Sequence, residues 1–316
     1  MMKLLLTGGT GFFGRALLRK LSYDAAAGNS VPEVVVLSRY PKNFIASYPE
    51  FENQHWLKLS EGNILDSCTL PKNSDFSHIL HAATESTNGP NLTPLQRYDE
   101  IVSGTRNILE YAVSNKIPKL LLTSSGGVYG PQPKDMDKIP ESYLGSPDPL
   151  DPVNAYSLGK KSAEHLCSLF SEKHGIEIVI ARCFAFVGHD LPKDAHFAIG
   201  NFISDALHKD FISVTGDGSQ IRSYLNQKDL AIWLMILLEK GKEGLVYNVG
   251  SDESISILEL AYLVRDTLSP GKSVIFQKEK NAHQGRNIYV PDITKAKHDL
   301  NLKVSISLQE SLAEFL

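Results

Sequence analysis

Short aliphatic runs alternate along the first half of the chain with longer stretches whose apolar residues recur every three or four positions. Residues 3–7, 33–38, 77–82, 119–124 and 176–182 have the aliphatic, β-branched content of strands. Residues 13–23, 98–115 and 155–174 have the period of amphipathic helices. The strand runs lack polar alternation, so both of their faces are buried. Strands of that kind, each followed by a helix, predict an α/β fold: a Rossmann-like, doubly wound parallel sheet that binds ligands at the carboxyl ends of its strands.

The pattern breaks at residues 130–154, which hold six prolines, several acids and no periodicity. A loop of that length inside a domain reads as a lid or binding loop, with Asp135, Asp137 and Glu141 solvating it. Beyond Arg182 the alternation weakens. Residues 184–218 mix glycine, proline, histidine and aromatics before a strand-like run at 246–249 and helical patterns at 229–239 and 256–268. The expected organisation is a nucleotide-binding domain over 1–182, sheet elements returning from about 225–250, and a smaller, mostly substrate-binding domain over 183–316. A chain of 316 residues is long enough for both.

Composition narrows the partners. A net charge of −4 with no run of like charges argues against a nucleic-acid partner. Cys68, Cys167 and Cys183 form no CxxC pair, which argues against a disulfide framework or a zinc site and predicts no bound metal. The apolar start at residues 1–6 is too short for a signal core, and no stretch has the length of a membrane span. A cytoplasmic chain with no membrane partner is expected.

Chemistry enters at residues 7–14, Thr-Gly-Gly-Thr-Gly-Phe-Phe-Gly, between the first strand and the first helix. Gly8, Gly11 and Gly14 have the spacing of a tight turn that lets a pyrophosphate approach the backbone, with Phe12 and Phe13 opening the helix whose N-terminus faces the anion. An acid at the end of the second strand would hold a ribose 2′-hydroxyl. This chain has Ser38-Arg39 there, a hydroxyl and a guanidinium suited to a 2′-phosphate, which favours NADP(H) over NAD(H) as cofactor and leaves NAD(H) as the alternative.

A second constellation follows the strand that ends in Thr123-Ser124-Ser125. Tyr156 and Lys160, four apart, share one helix face. A phenol is a poor base at neutral pH, and a nearby ammonium and a cofactor dipole are expected to lower its pKa so that it can exchange a proton with an alcohol or carbonyl while a serine holds the oxygen. Tyr224 and Lys228 repeat the YxxxK spacing without an upstream hydroxyl pair and read as ordinary residues.

Taken together, these residues resemble the extended short-chain dehydrogenase/reductases, specifically the epimerase/dehydratase group acting on nucleotide-diphosphate sugars. The resemblance spans nearly the whole chain. Besides the segments above it includes Gly62-Asn63-Ile64-Leu65-Asp66, His81-Ala82-Ala83-Thr84-Glu85-Ser86, Arg182-Cys183-Phe184, Gly216-Asp217-Gly218, Arg222-Ser223-Tyr224 and Tyr247-Asn248-Val249-Gly250-Ser251. It implies that Asn63 and Ile64 lie against the adenine, that Ala82, Ala83 and Thr123 line the cofactor, and that Thr84 meets the substrate. It implies Ser125, rather than Ser124, as the catalytic hydroxyl, Tyr156 as acid/base and Lys160 on the nicotinamide ribose. Arg222 and Arg286 would clamp the diphosphate, and a homodimer through the helices at 98–115 and 155–174 is a further implication. His196 stays outside the catalytic set.

The departures from the group are as informative as the matches. Its 4,6-dehydratases carry Asp-Glu directly after the catalytic hydroxyl, and its decarboxylases use the same Glu. Here Gly126 and Gly127 stand instead, so neither dehydration nor decarboxylation by that mechanism is expected. Ile101 and Ala185 replace asparagines common in the group. The expected activity is that of an NAD(P)-dependent 4-epimerase or 4-keto-sugar reductase. A catalytically silent member of the fold, or a reductase of a non-nucleotide carbonyl compound, is the alternative.

Overall fold

The computed structural model describes residues 2–72, 75–84, 92–191, 197–277 and 288–316. Its chain order begins β1 (Lys3–Thr7), α1 (Phe12–Ala26), β2 (Glu33–Ser38), α2 (Pro41–Ser47), β3 (Leu57–Glu61), β4 (His78–His81), α3 (Pro94–Ser114), β5 (Lys119–Ser125), α4 (Ala155–His174) and β6 (Glu177–Cys183). It continues with β7 (Phe186–Val187), α5 (Ala198–His208), β8 (Phe211–Thr215), β9 (Ile221–Arg222), β10 (Leu225–Asn226), α6 (Gln227–Lys240) and β11 (Val246–Val249). The last elements are β12 (Ile255–Ser256), α7 (Ile257–Leu268), β13 (Ser273–Gln277), β14 (Ile288–Tyr289), α8 (Thr294–Leu300) and α9 (Leu308–Ala313).

Seven parallel strands form the central sheet in the order β11-β6-β5-β4-β1-β2-β3. The period-two geometry of a strand explains how aliphatic runs without polar alternation fill both faces. Leu4, Leu6, Val34 and Val36 face α1 and α6, packing with Leu17, Leu18, Trp233 and Leu237. Leu5, Ile79, Leu120 and Leu122 face α3 and α4, packing with Ile108, Leu109, Ala163 and Cys167. The strand order reverses between β1 and β4, the switch point at which doubly wound sheets open a ligand crevice.

The elements the pattern does not announce lie at edges or in small sheets. β3 alternates Leu with Lys and Ser because it is an edge strand. Residues 184–218, irregular in sequence, supply β7, α5 and β8. Here β8 pairs with β13, β7 with β10, and β9 lies between β12 and β14. A separate apolar cluster of Phe202, Ile212, Leu260 and Val264 holds α5, α7 and β8 together. Among the described residues, no helix is long and apolar enough to cross a membrane.

Candidate functional site

The glycine turn sits at the switch point. Gly8 has φ +73°, and a Cβ there would lie 2.5 Å from the Ala82 carbonyl, so any other residue is strained and blocked at once. A Cβ on Gly14 would stand 2.2 Å from Gly9 Cα, which lets α1 press directly onto the turn. Gly11 differs from both. It is exposed, and a Cβ there would meet nothing closer than Gly8 O at 3.4 Å, an ordinary contact. The protein's own atoms do not require glycine at 11, and its bare backbone leaves the turn open to a ligand. Consistent with that, α1 starts with no side-chain cap and no acid in its first turn, leaving its N-terminus suited to an anion. The Phe12 and Phe13 rings pack on Phe186, so these residues serve the turn through their backbone.

An open cleft of about 410 Å³ runs from this turn across the ends of β1, β2, β3 and β4. Gly8, Gly11, Ser38, Arg39, Asn63, Ile64, Ala82, Ala83 and Thr84 all line it, which gathers most of the cofactor set predicted from sequence. Arg39 is exposed at its rim, while the buried Ser38 hydroxyl accepts from Tyr40 N at 3.2 Å. Asn63 Oδ1 accepts from Leu65 N, and Asn107 Nδ2 donates to Ile64 O at 2.9 Å, fastening this wall to α3. Asn43, Tyr48 and Glu100 complete the lining. They carry no motif, and only the fold brings them here. These residues fit an elongated dinucleotide: glycines under the diphosphate, apolar and amide groups beyond it. Among the described residues, no cluster has metal-ligand character.

Beneath the cleft, buried His81 hydrogen-bonds Thr7 Oγ1 through Nδ1 at 2.7 Å and Thr105 Oγ1 through Nε2 at 3.2 Å. Burial, with Lys160 adding to it, pushes its pKa down to about 3, so the ring is neutral. Lys160 is buried on α4, and its Nζ donates to Thr84 Oγ1 at 2.7 Å and to Thr123 O at 2.8 Å. Thr84, expected from the resemblance to meet substrate, has its hydroxyl engaged by Lys160. Desolvation lowers the Lys160 pKa to about 8.

Tyr156, one helical turn before Lys160, is half-buried, and its side chain hydrogen-bonds Ser125. The expected lowering of its pKa does not hold for the protein's own groups. Burial raises it, with Tyr289 and Cys183 adding, against the pull of the Ser125 hydrogen bond and Arg97. The physical reason is desolvation: burial disfavours the phenolate more than the Ser125 hydrogen bond and Arg97 favour it.

The two serines at the end of β5 part ways. Ser124 donates to Glu164 Oε1 at 2.5 Å, and Glu164 is paired with Arg182 at 2.7 Å beneath the Tyr129 ring. Ser125 faces Tyr156 and accepts from Gly127 N at 3.0 Å. The second YxxxK match is not a pair on one helix: Tyr224 precedes α6 and is buried, whereas Lys228 Nζ reaches Glu314 at the surface.

Sequence reading missed Tyr289. It stacks on Phe184 with ring centroids 4.6 Å apart, and its hydroxyl is 2.6 Å from where a Gly126 Cβ would be. Its β14 pairs with β9, placing Tyr289 in register with Arg222 on the small sheet. Arg222 Nη1 donates to Ile221 O at 2.8 Å. Arg286 and His196 lie outside the described residues.

The proline-rich loop, expected as a lid or binding loop, is hydrogen-bonded to the C-terminal segment. Ile139 N donates to Val290 O and Ile139 O accepts from Asp292 N, while Gln132 Oε1 accepts from Val290 N. Asn248 Nδ2 donates to Ile139 O and to Asp292 O. Glu141 is not a solvating acid but a half-buried carboxylate accepting from Asn248 N at 2.8 Å. These bonds flank Tyr289 and set its strand.

The whole chain is similar to known proteins. UDP-glucuronic acid decarboxylase 5 of Arabidopsis thaliana is 31% identical over 320 residues, covering 98% of this chain and 87% of that protein. Its paralogues run as low as 66% coverage of their own length. The structure of UDP-glucuronic acid 4-epimerase from Bacillus cereus in complex with NAD superposes with a TM-score of 0.81 and 26% identity, covering 99% of this chain and 96% of that one. UDP-glucose 4-epimerase from Thermotoga maritima shares the fold, with a TM-score of 0.83 at 22% identity over 99% of this chain and 96% of that one. A family profile matches residues 4–250, and the chain belongs to the NAD dependent epimerase/dehydratase family.

Proposed function

We propose that the protein is a 4-epimerase of a nucleotide-diphosphate sugar. The observation that carries this reading is the grouping of Ser125, at the end of β5, with Tyr156 and Lys160 of α4, and the glycines that fill the two positions directly after Ser125. The places where an acid pair would stand are filled: a Cβ at 126 would meet the Tyr289 hydroxyl and the Phe184 ring, and one at 127 would meet Ser157 Oγ at 2.5 Å. Relatives named for decarboxylating UDP-glucuronic acid and a neighbour named for epimerising it make UDP-hexuronates and UDP-hexoses the substrates to test first.

In this mechanism a bound nicotinamide supplies the hydride acceptor and, when oxidised, a positive charge. Tyr156 takes the proton of the sugar 4-hydroxyl and later returns it, and Ser125 holds that oxygen while it is a ketone. Lys160, anchored through Thr84 and Thr123 O, is placed to hold the nicotinamide ribose. Residues up to about 182, with 225–250, serve the cofactor, and the small sheet bearing Arg222 and Tyr289 serves the substrate. A second reading, a 4-keto-sugar reductase, is favoured by one observation, the exposed Arg39 at the cleft rim, which suits NADPH.

Purified protein separates the two readings. An epimerase interconverts C4 epimers without net cofactor turnover, whereas a reductase consumes NADPH stoichiometrically with a keto-sugar. Tyr156→Phe abolishes either activity, and wild-type rates in that variant would sink the mechanism. A homodimer is proposed through α3 and α4, with Leu95 exposed in the first turn of α3 and Leu150 and Val153 exposed in the segment that leads into α4. Light scattering before and after Leu150→Asp with Val153→Asp tests it.

A further inference from the structure

We infer that Arg15 is a positioning residue for the cofactor turn and that Asp190, on the turn following β7, holds it in place, so the two distant turns act as one brace. The inference rests on the dinucleotide reading of the cleft. Arg15 lies in the first turn of α1, where the helix dipole disfavours a cation. Each of its three guanidinium nitrogens nevertheless has an acceptor. Nη1 donates to Thr10 O at 2.6 Å, inside the glycine turn, while Nε donates to Asp190 Oδ1 at 3.0 Å and Nη2 to Asp190 O at 2.7 Å. The guanidinium also lies 4.9 Å from the ring centroid of Tyr48, a residue of the cleft wall. One side chain thus fixes the carbonyl between Gly9 and Gly11, the cleft wall and a turn 175 residues away.

Asp190 is built for that task. Its side chain is 3% exposed, and it accepts from Arg15, Arg19 and Gln227 Nε2, while its own N–H donates to Gln227 Oε1. Gly188 lets the turn close on Gln227, because a Cβ there would stand 2.2 Å from Gln227 Oε1. A carboxylate this fully engaged fixes the guanidinium plane, and the plane fixes Thr10 O.

Positioning and plain electrostatics predict opposite results for one variant. Asp190→Asn makes the neighbourhood of the turn more positive, so charge alone would tighten binding of an anionic dinucleotide. Loss of the brace would weaken it. The test is calorimetric titration of NAD⁺ and NADP⁺ into wild type, Arg15→Lys, Arg15→Gln and Asp190→Asn, well below the melting temperature of each. The expected result is about tenfold weaker binding in all three variants, with Lys no better than Gln, because an ammonium cannot span three acceptors in a plane. Wild-type affinity in Arg15→Lys, equal or tighter binding by Asp190→Asn, or a lowered melting temperature with unchanged affinities would each overturn the proposal. Wild-type protein that bound neither dinucleotide would remove the cofactor reading, and the brace with it.

Discussion

The Tyr289 hydroxyl lies 2.6 Å from the position a Cβ on Gly126 would take, so the glycine and the phenol occupy the site as an interlocking pair. Installing acids beside Ser125 should therefore not convert the enzyme. Gly126→Asp with Gly127→Glu is expected to destabilise the fold by about 1–3 kcal/mol per overpacked position and to abolish the native activity. Mass spectrometry of the sugar product should show neither loss of water nor loss of carbon dioxide. A dehydrated or decarboxylated product would mean that only the missing carboxylates set the reaction.

The same phenol adds to the forces that raise the Tyr156 pKa. Tyr289→Phe keeps the ring on Phe184 and removes only the hydroxyl. The limb of the kcat/KM pH profile that reports Tyr156 should move to lower pH. An unmoved limb would show that the two phenols do not communicate.

At the other end of the cleft, Arg39 is exposed beside Ser38 and opposite Asn43. Arg39→Ala should weaken NADP⁺ binding by about tenfold while leaving NAD⁺ nearly unchanged, since only the 2′-phosphate draws on the guanidinium. Tighter binding of NAD⁺ than NADP⁺ by the wild type would assign the NAD preference and leave Arg39 to solvent.

How much of this was legible follows from where each signal lives. The buried strands, the glycine turn and the Ser125, Tyr156, Lys160 set are carried by residues close in sequence, whose spacing states their geometry. Tyr289 is not legible that way. It reaches Gly126 only because β14 pairs with β9 and Ile139 pairs with Val290 and Asp292, contacts between segments far apart in the chain. The proline-rich loop misled for the same reason: its polar groups, Glu141 and Gln132, find partners on Asn248 and Val290 rather than in water. The direction of the Tyr156 shift also depended on the fold, because nothing in YxxxK says how far the phenol is desolvated or that Tyr289 and Cys183 stand near it.

His81 makes stability depend on acid. In the folded protein its ring stays neutral down to about pH 3, whereas the unfolded ring takes a proton below about 6.5. The unfolded state thus binds more protons between those values, so the contribution is complete above pH 6.5 and is lost as pH falls toward 3. At pH 5 the loss is about 2 kcal/mol relative to pH 7.5. Urea unfolding at the two pH values should show a shallower decline in His81→Gln than in wild type, although that variant starts lower. Parallel declines would show that the ring titrates normally.

Asn248 carries the final prediction because three groups depend on it. Its Nδ2 donates to Ile139 O at 2.8 Å and Asp292 O at 2.9 Å, and its Oδ1 accepts from the Tyr129 hydroxyl at 2.8 Å, all without exposure to water. Asn248→Ala takes the Nδ2 donor from the Asp292 carbonyl and the Oδ1 acceptor from the Tyr129 hydroxyl, while Ile139 O keeps Asp292 N, so at about 1–3 kcal/mol for each lost partner destabilisation of about 2 kcal/mol or more is expected. The backbone bond from Asn248 N to Glu141 survives the substitution, so the damage should centre on Ile139 and Asp292, whose pairing fixes the segment directly after Tyr289. Limited proteolysis should then cut the proline-rich loop at temperatures where the wild type resists, and KM for the sugar nucleotide should rise before kcat falls. An Asn248→Ala protein as stable and as protease-resistant as wild type would show that the bonds of Ile139, Gln132 and Glu141 hold the loop without the amide.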